Sequence, residues 1–239
     1  MQAKSTAKTS EAPMFGLLPA LLLVLTFVTG LVDAVSFFRL NHVFVANMTG
    51  NVVFLAFAVA DAREFSIVAS STALVAFLAG ALAGGRLGSS HGSHRGEYLA
   101  LALAVNTFIL AAAAIGAAVF PHAEDGRIGS LVVALLAFAM GLQNATARRL
   151  AVPDLTTTVL TLTLTGLAAD SRWAGGSNPR PLMRVAAVVF MFAGALVGAT
   201  LVLRFSMAAV LGLAFLIVGA TAVAALRYRY SIEPNPSGN

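Results

Sequence analysis

Gly30-Leu-Val-Asp-Ala-Val-Ser36 runs on to Phe44-Val-Ala-Asn-Met-Thr-Gly-Asn51, and an altered copy of both pieces stands further along the chain. The second copy reads Gly141-Leu-Gln-Asn-Ala-Thr146 and then Val152-Pro-Asp-Leu-Thr-Thr-Thr158. Asp33 matches Asn144, Asn47 matches Asp154, Thr49 matches Thr156, and Asn51 matches Thr158. A small-residue run follows each copy, Phe77-Leu-Ala-Gly-Ala-Leu-Ala-Gly84 and Phe192-Ala-Gly-Ala-Leu-Val-Gly198. Polar residues repeated inside an apolar chain predict a site built between two related halves of a membrane protein.

Composition sets the class. Of 239 residues 59% are hydrophobic and only 10% charged, and the mean hydropathy is +0.88. Soluble domains carry about 25% charged residues, so this chain cannot clothe a soluble surface. The net charge of +5 and pI of about 10.4 would suggest nucleic acid in a soluble protein. Here the basic residues sit in short loops between apolar runs and read as topology signals. The bilayer is the expected partner, and nucleic acid is not. Without cysteine there is no disulfide or thiolate site. His42, His91, His94 and His122 leave little material for a metal centre, and no metal or cofactor is expected.

Cutting the chain at its charges leaves apolar segments at 14–38, 42–60, 66–86, 97–120, 128–150, 154–169, 182–204 and 205–227. A full crossing needs about 20 apolar residues, and segments 42–60 and 154–169 fall short. These two correspond to each other in the repeat. If every segment crosses, nine basic residues lie inside (Lys4, Lys8, Arg63, Arg127, Arg172, Arg180, Arg184, Arg227, Arg229) and six outside. If the two short segments enter and leave on one side, Arg86, Arg95, Arg148 and Arg149 move inside, leaving Arg39, Arg63, Arg127 and Arg204 outside. That division obeys the positive-inside bias better. The reading is an all-α membrane protein with about six full spans plus two short broken or re-entrant segments. They form two inverted three-helix repeats, at 14–120 and 128–227, with cytoplasmic tails at 1–13 and 228–239.

Paired interrupted segments in inverted halves point to a transporter site near the midplane. Asn47, Thr49, Asn51, Asn144, Asp154, Thr156 and Thr158 are the candidate substrate-binding residues. Gly50 and Pro153 favour helix breaks or starts there, and a half-helix N-terminus attracts anions. Asp33 is the proton-coupling candidate, since a carboxylate inside a span is by default functional; the plainer alternative pairs it with Arg39 or a neighbouring backbone. Arg39, Arg148 and Arg149 are candidate vestibule charges, although basic residues at span ends more often set topology. The alternation from Thr161 to Thr165 is read as helix with hydroxyls bonded back to carbonyls. Gly80-x-x-x-Gly84 and Gly194-x-x-x-Gly198 are seams for close helix contact that also permit a homo-oligomer. No hydrolase elbow, phosphate loop or metalloprotease motif is present, so no enzyme and no catalytic residue are expected.

The Val-Asp-Ala span end followed by Asn47-Met-Thr-Gly-Asn51, with Gly141-Leu-Gln-Asn-Ala-Thr146, resembles the YoaK family of bacterial multipass inner-membrane proteins. The likeness covers roughly residues 15–227. It implies about six spans and an inner-membrane location, but no reaction, because the family carries a domain of unknown function. The functional expectation is a secondary transporter or channel-like permease for a small polar or anionic solute. The alternative is a non-transporting module that binds lipid or a partner protein, with the polar repeats as helix glue.

Overall fold

The computed structural model describes residues 16–91, 94–120, 126–152, 160–177 and 180–229. Among these the chain is helical: α1 (Leu17–Arg39), α2 (Met48–Val59), α3 (Ile67–His91), α4 (Arg95–Val119), α5 (Gly126–Leu150), α6 (Leu160–Ala169), α7 (Pro181–Arg204) and α8 (Met207–Arg227), with one 3₁₀ turn at Arg172–Ala174. Lipid offers no partner for a bare peptide group, so apolar sequence of this length satisfies its backbone internally as helix. Six helices are long and apolar enough to cross. At 12 and 10 residues, α2 and α6 reach only about 18 Å and 15 Å, short of a hydrocarbon core of roughly 30 Å.

Helix directions follow from where glycines let backbones touch. Gly194 lies against the Phe27 carbonyl and Gly198 against Leu31, so α1 and α7 run parallel. Gly80 lies against Phe138 and Gly84 against Leu142 and Ala145, so α3 and α5 run parallel too. By contrast α4 and α8 are antiparallel, with Gly96 against Arg229 and Gly219 over the Thr107 methyl. Eight successive crossings would make α4 and α8 parallel, so the chain does not cross eight times. The small-residue seams are thus occupied within one chain and do not present a free dimer face.

The short helix α2 stays at one end. Asn41, just past α1, shares a hollow of about 430 Å³ with Ser66 before α3 and with Gly126 and Arg127 at the start of α5. An aromatic chain keeps α2 there: Phe37 stacks on Phe44 at 5.4 Å, Phe44 meets Phe54 at 5.5 Å, and Phe54 stacks on Phe65 at 4.8 Å. At the opposite end α6 packs on α7, where buried Arg184 reaches Asp170 at 2.8 Å and lies over Gly166. Arg39, Arg63, Arg127 and Arg204 belong to the α2 end. Arg86, Arg95, Arg148, Arg149, Arg172, Arg180, Arg184, Arg227 and Arg229 belong to the α6 end.

Burial orders the helices. The apolar windows of α1 and α5 are 78% and 56% buried, against 28% and 22% for α3 and α7. So α1 and α5 form the centre with α4 and α8 beside them, while α3 and α7 present faces such as Leu78 and Phe192 outward. The touching pairs also exchange into one another when α1, α2, α3 and α4 are replaced by α5, α6, α7 and α8. The α1–α7 pair becomes α5–α3, α1–α8 becomes α5–α4, and α2–α3 becomes α6–α7.

Candidate functional site

Between α1 and α2 the chain leaves helical geometry while still enclosed, and its peptide groups need partners. Asp33 on α1 supplies them. Its side chain is buried, and Oδ1 accepts the N–H groups of Val45 and Ala46, both at 2.9 Å. Oδ2 accepts Nδ2 of Asn47 at 2.7 Å. Asn51, fully buried on the first turn of α2, completes the clasp. Its Oδ1 accepts the Phe44 N–H at 2.8 Å, and its Nδ2 donates to the Phe44 carbonyl at 2.5 Å. Gly50 leaves room for the Phe44 ring, which a Cβ at 2.7 Å would force to shift. Thr49 is exposed and Asn47 half-buried beside this clasp.

A second polar group is centred on Gln143 of α5, which reaches both α1 and α4. Gln143 Nε2 donates to Thr29 Oγ1 at 3.0 Å and towards the Leu25 carbonyl at 3.3 Å. Its Oε1 accepts Nδ2 of Asn106 at 3.1 Å. All three side chains are buried. Asn106 Oδ1 has no hydrogen-bonding partner among the described residues.

The comparisons place this arrangement in a family. The family described as "protein of unknown function (DUF1275)" matches residues 21–224, from within α1 to within α8. The chain belongs to the DUF1275 family. It is also similar to the UPF0700 transmembrane protein YoaK of Bacillus subtilis (strain 168), at 32% identity over 151 residues. That match covers 63% of this chain and 65% of the relative, a little under two thirds of its length. No solved structure matches the chain.

In this DUF1275 protein the described members of the expected site fall in two places. Asp33, Asn47 and Asn51 are brought together, with Thr49 at their edge. Asn144 is not with them: six residues before the end of α5, it donates to the Met140 carbonyl of its own helix at 2.9 Å. Asp154, Thr156 and Thr158 lie outside the described residues. Asp33 is bonded to loop backbone and Asn47, and Arg39 instead donates to the Val202 carbonyl of α7 at 3.2 Å. Arg148 and Arg149 are exposed in the last turn of α5, with the Arg149 stem over Gly88 of α3. Thr165 bonds back to the Thr161 carbonyl at 2.8 Å, as a helical reading requires.

Sequence reasoning passed over Gln143 and Asn106. The signal was there for both: Gln143 stands inside the repeated motif, and Asn106 is the lone amide in the apolar run from Leu99 to Phe120.

Proposed function

We propose that this protein is a secondary transporter or channel-like permease for a small polar or anionic solute, built from two inverted copies of a three-span unit. The arginine-rich α6 end would face the cytoplasm of a bacterial inner membrane, with both termini on that side. The observation that carries this reading is α2, a short helix that starts inside the bundle, returns to the end it came from, and is preceded by non-helical backbone. Such backbone at membrane depth is tolerated where protein buries it or where it lines a wet cavity, and transporters put binding sites beside broken helices. The antiparallel α4–α8 pair and the exchange of helix contacts between halves support the inverted arrangement.

A second reading rests on the clasp itself. Asp33 and Asn51 spend their hydrogen bonds on the chain's own loop, which is what helix glue in a non-transporting lipid- or partner-binding module would do. Single cysteines separate the two, since the natural chain has none to remove. With the protein in liposomes, cysteines replacing Asn47, Thr49, Thr156 and Thr158 should react with aqueous thiol reagents if the repeat lines a solute path. Uptake of small polar and anionic solutes should accompany that labelling. Resistance at every position from both faces, with no uptake, leaves the glue reading.

A further inference from the structure

The amide chain at the bundle centre has a direction, and that direction has a chemical outcome. The Leu25 carbonyl can only accept, so the Gln143 group turned towards it must be the donor Nε2. This turns Gln143 Oε1 to Asn106, which must therefore present its own donor Nδ2. Asn106 Oδ1 then has no partner among the described residues, on a side chain only 1% exposed. Thr29 Oγ1 gives its own proton to the Leu25 carbonyl at 2.9 Å and so accepts from Gln143; with Gln143 turned this way, exchanging the Asn106 oxygen and nitrogen would set two acceptors against each other. An orphaned buried acceptor is costly, because it gives up its bond to water with nothing in exchange. The site is also central: Asn106 is near the middle of α4 and is joined through Gln143 of α5 to the most enclosed helix, α1.

We infer that Asn106 Oδ1 is a binding point inside the membrane for an N–H or O–H donor from outside the chain, either a held water or the donor group of a neutral polar solute. The solute source rests on the permease reading; the water source does not. The chemistry selects donors: one neutral amide oxygen offers a lone pair to a hydroxyl, amide or water and nothing to an anion. Of the two solute classes the permease reading allows, this centre fits the neutral one.

The test uses the full chain in liposomes with Asn106→Cys, and Phe108→Cys as the control, since Phe108 is exposed on the outer face of the same helix. Thiols react as thiolates, which need water, so the Asn106→Cys variant should label with a small methanethiosulfonate at least about tenfold faster than the control. Water-edited solid-state NMR of the unaltered protein, with ¹⁵N-asparagine and the Asn106 signal identified by its loss in Asn106→Leu, should show magnetisation passing from water to that amide. It applies even if the cysteine variant does not fold. Glycerol or urea slowing the labelling of Asn106→Cys indicates a solute source; no protection with a persistent water signal indicates held water. Labelling of Asn106→Cys as slow as that of Phe108→Cys, together with an amide that receives nothing from water, overturns the inference. Uptake that persists with a dry Asn106 sinks this inference alone, and a wet Asn106 without any uptake sinks the permease alone.

Discussion

Asp33 Oδ2 and Asn47 Nδ2 lie 2.7 Å apart, acceptor to donor, while the other carboxylate oxygen holds two backbone N–H groups of the intervening loop. Asp33→Asn keeps one acceptor oxygen but sets an NH₂ group against that of Asn47. The expected loss is about 1–3 kcal/mol of stability in detergent melts, with faster hydrogen exchange at Val45 and Ala46. Adding Asn47→Asp restores a donor facing an acceptor and should recover part of the loss. If Asp33 also relays protons, Asp33→Asn abolishes the pH dependence of uptake; an unchanged dependence removes it from that role.

Where helices touch through bare backbone, a methyl group has no room. Gly194→Ala places a Cβ against the Phe27 carbonyl, and overpacking of this kind costs about 1–3 kcal/mol or more. Gly85→Ala, on a helix surface with nothing within 4 Å, should instead be neutral or gain up to about 1 kcal/mol from helix propensity. Thermal melts of the two variants give opposite signs if the α1–α7 contact is as described, and equal ones if it is not.

Gln143 and Asn106 should be energetically coupled. Gln143→Leu leaves the Asn106 amide without its acceptor and Thr29 without its donor, at an expected cost of about 1–3 kcal/mol. Adding Asn106→Leu removes the stranded donor, so the double variant should be more stable than the sum of the singles implies, by at least about 0.5 kcal/mol. Simple additivity would separate the two side chains.

The placement of α6 depends on Arg184. Its guanidinium is buried and pairs with Asp170, which is 46% exposed, so Asp170→Asn should cost about 1 kcal/mol or less and less still in high salt. Arg184→Met also removes the surface over Gly166 and should release α6 from α7. Limited proteolysis near residues 171–177 reports it, and unchanged cleavage counts against this docking.

Thr49 and Asn51 sit close together at the start of α2 in opposite surroundings, one exposed and one sealed. Thr49→Cys should label from the face opposite the arginine-rich end, and Asn51→Cys should resist while destabilising the loop. Equal labelling of both would mean that the clasp opens in the membrane.

Much of this was legible in one dimension. The spans follow from apolar length, and the shortness of α2 from Asn47, Thr49 and Asn51 interrupting a run that lipid would otherwise hold as helix. Charge asymmetry at the loops favoured six crossings over eight, and the antiparallel α4–α8 contact agrees. What stayed hidden was partnership. Asp33 could have served a proton, a solute, Arg39 or a backbone, and nothing along the chain says that residues 45–47 fold back onto it. Gln143 and Asn144 are neighbours in sequence, yet Gln143 reaches Thr29 of α1 and Asn106 of α4 while Asn144 donates to the Met140 carbonyl of its own helix.

From the sequence alone came the membrane class, the number of long spans and the two interrupted segments, because those depend on local length, polarity and charge against a slab of fixed thickness. Only the tertiary structure decided which polar groups meet, since a hydrogen bond acts over about 3 Å and its partners here come from helices far apart in the chain. It alone brought Asn106, Gln143 and Thr29 to one point.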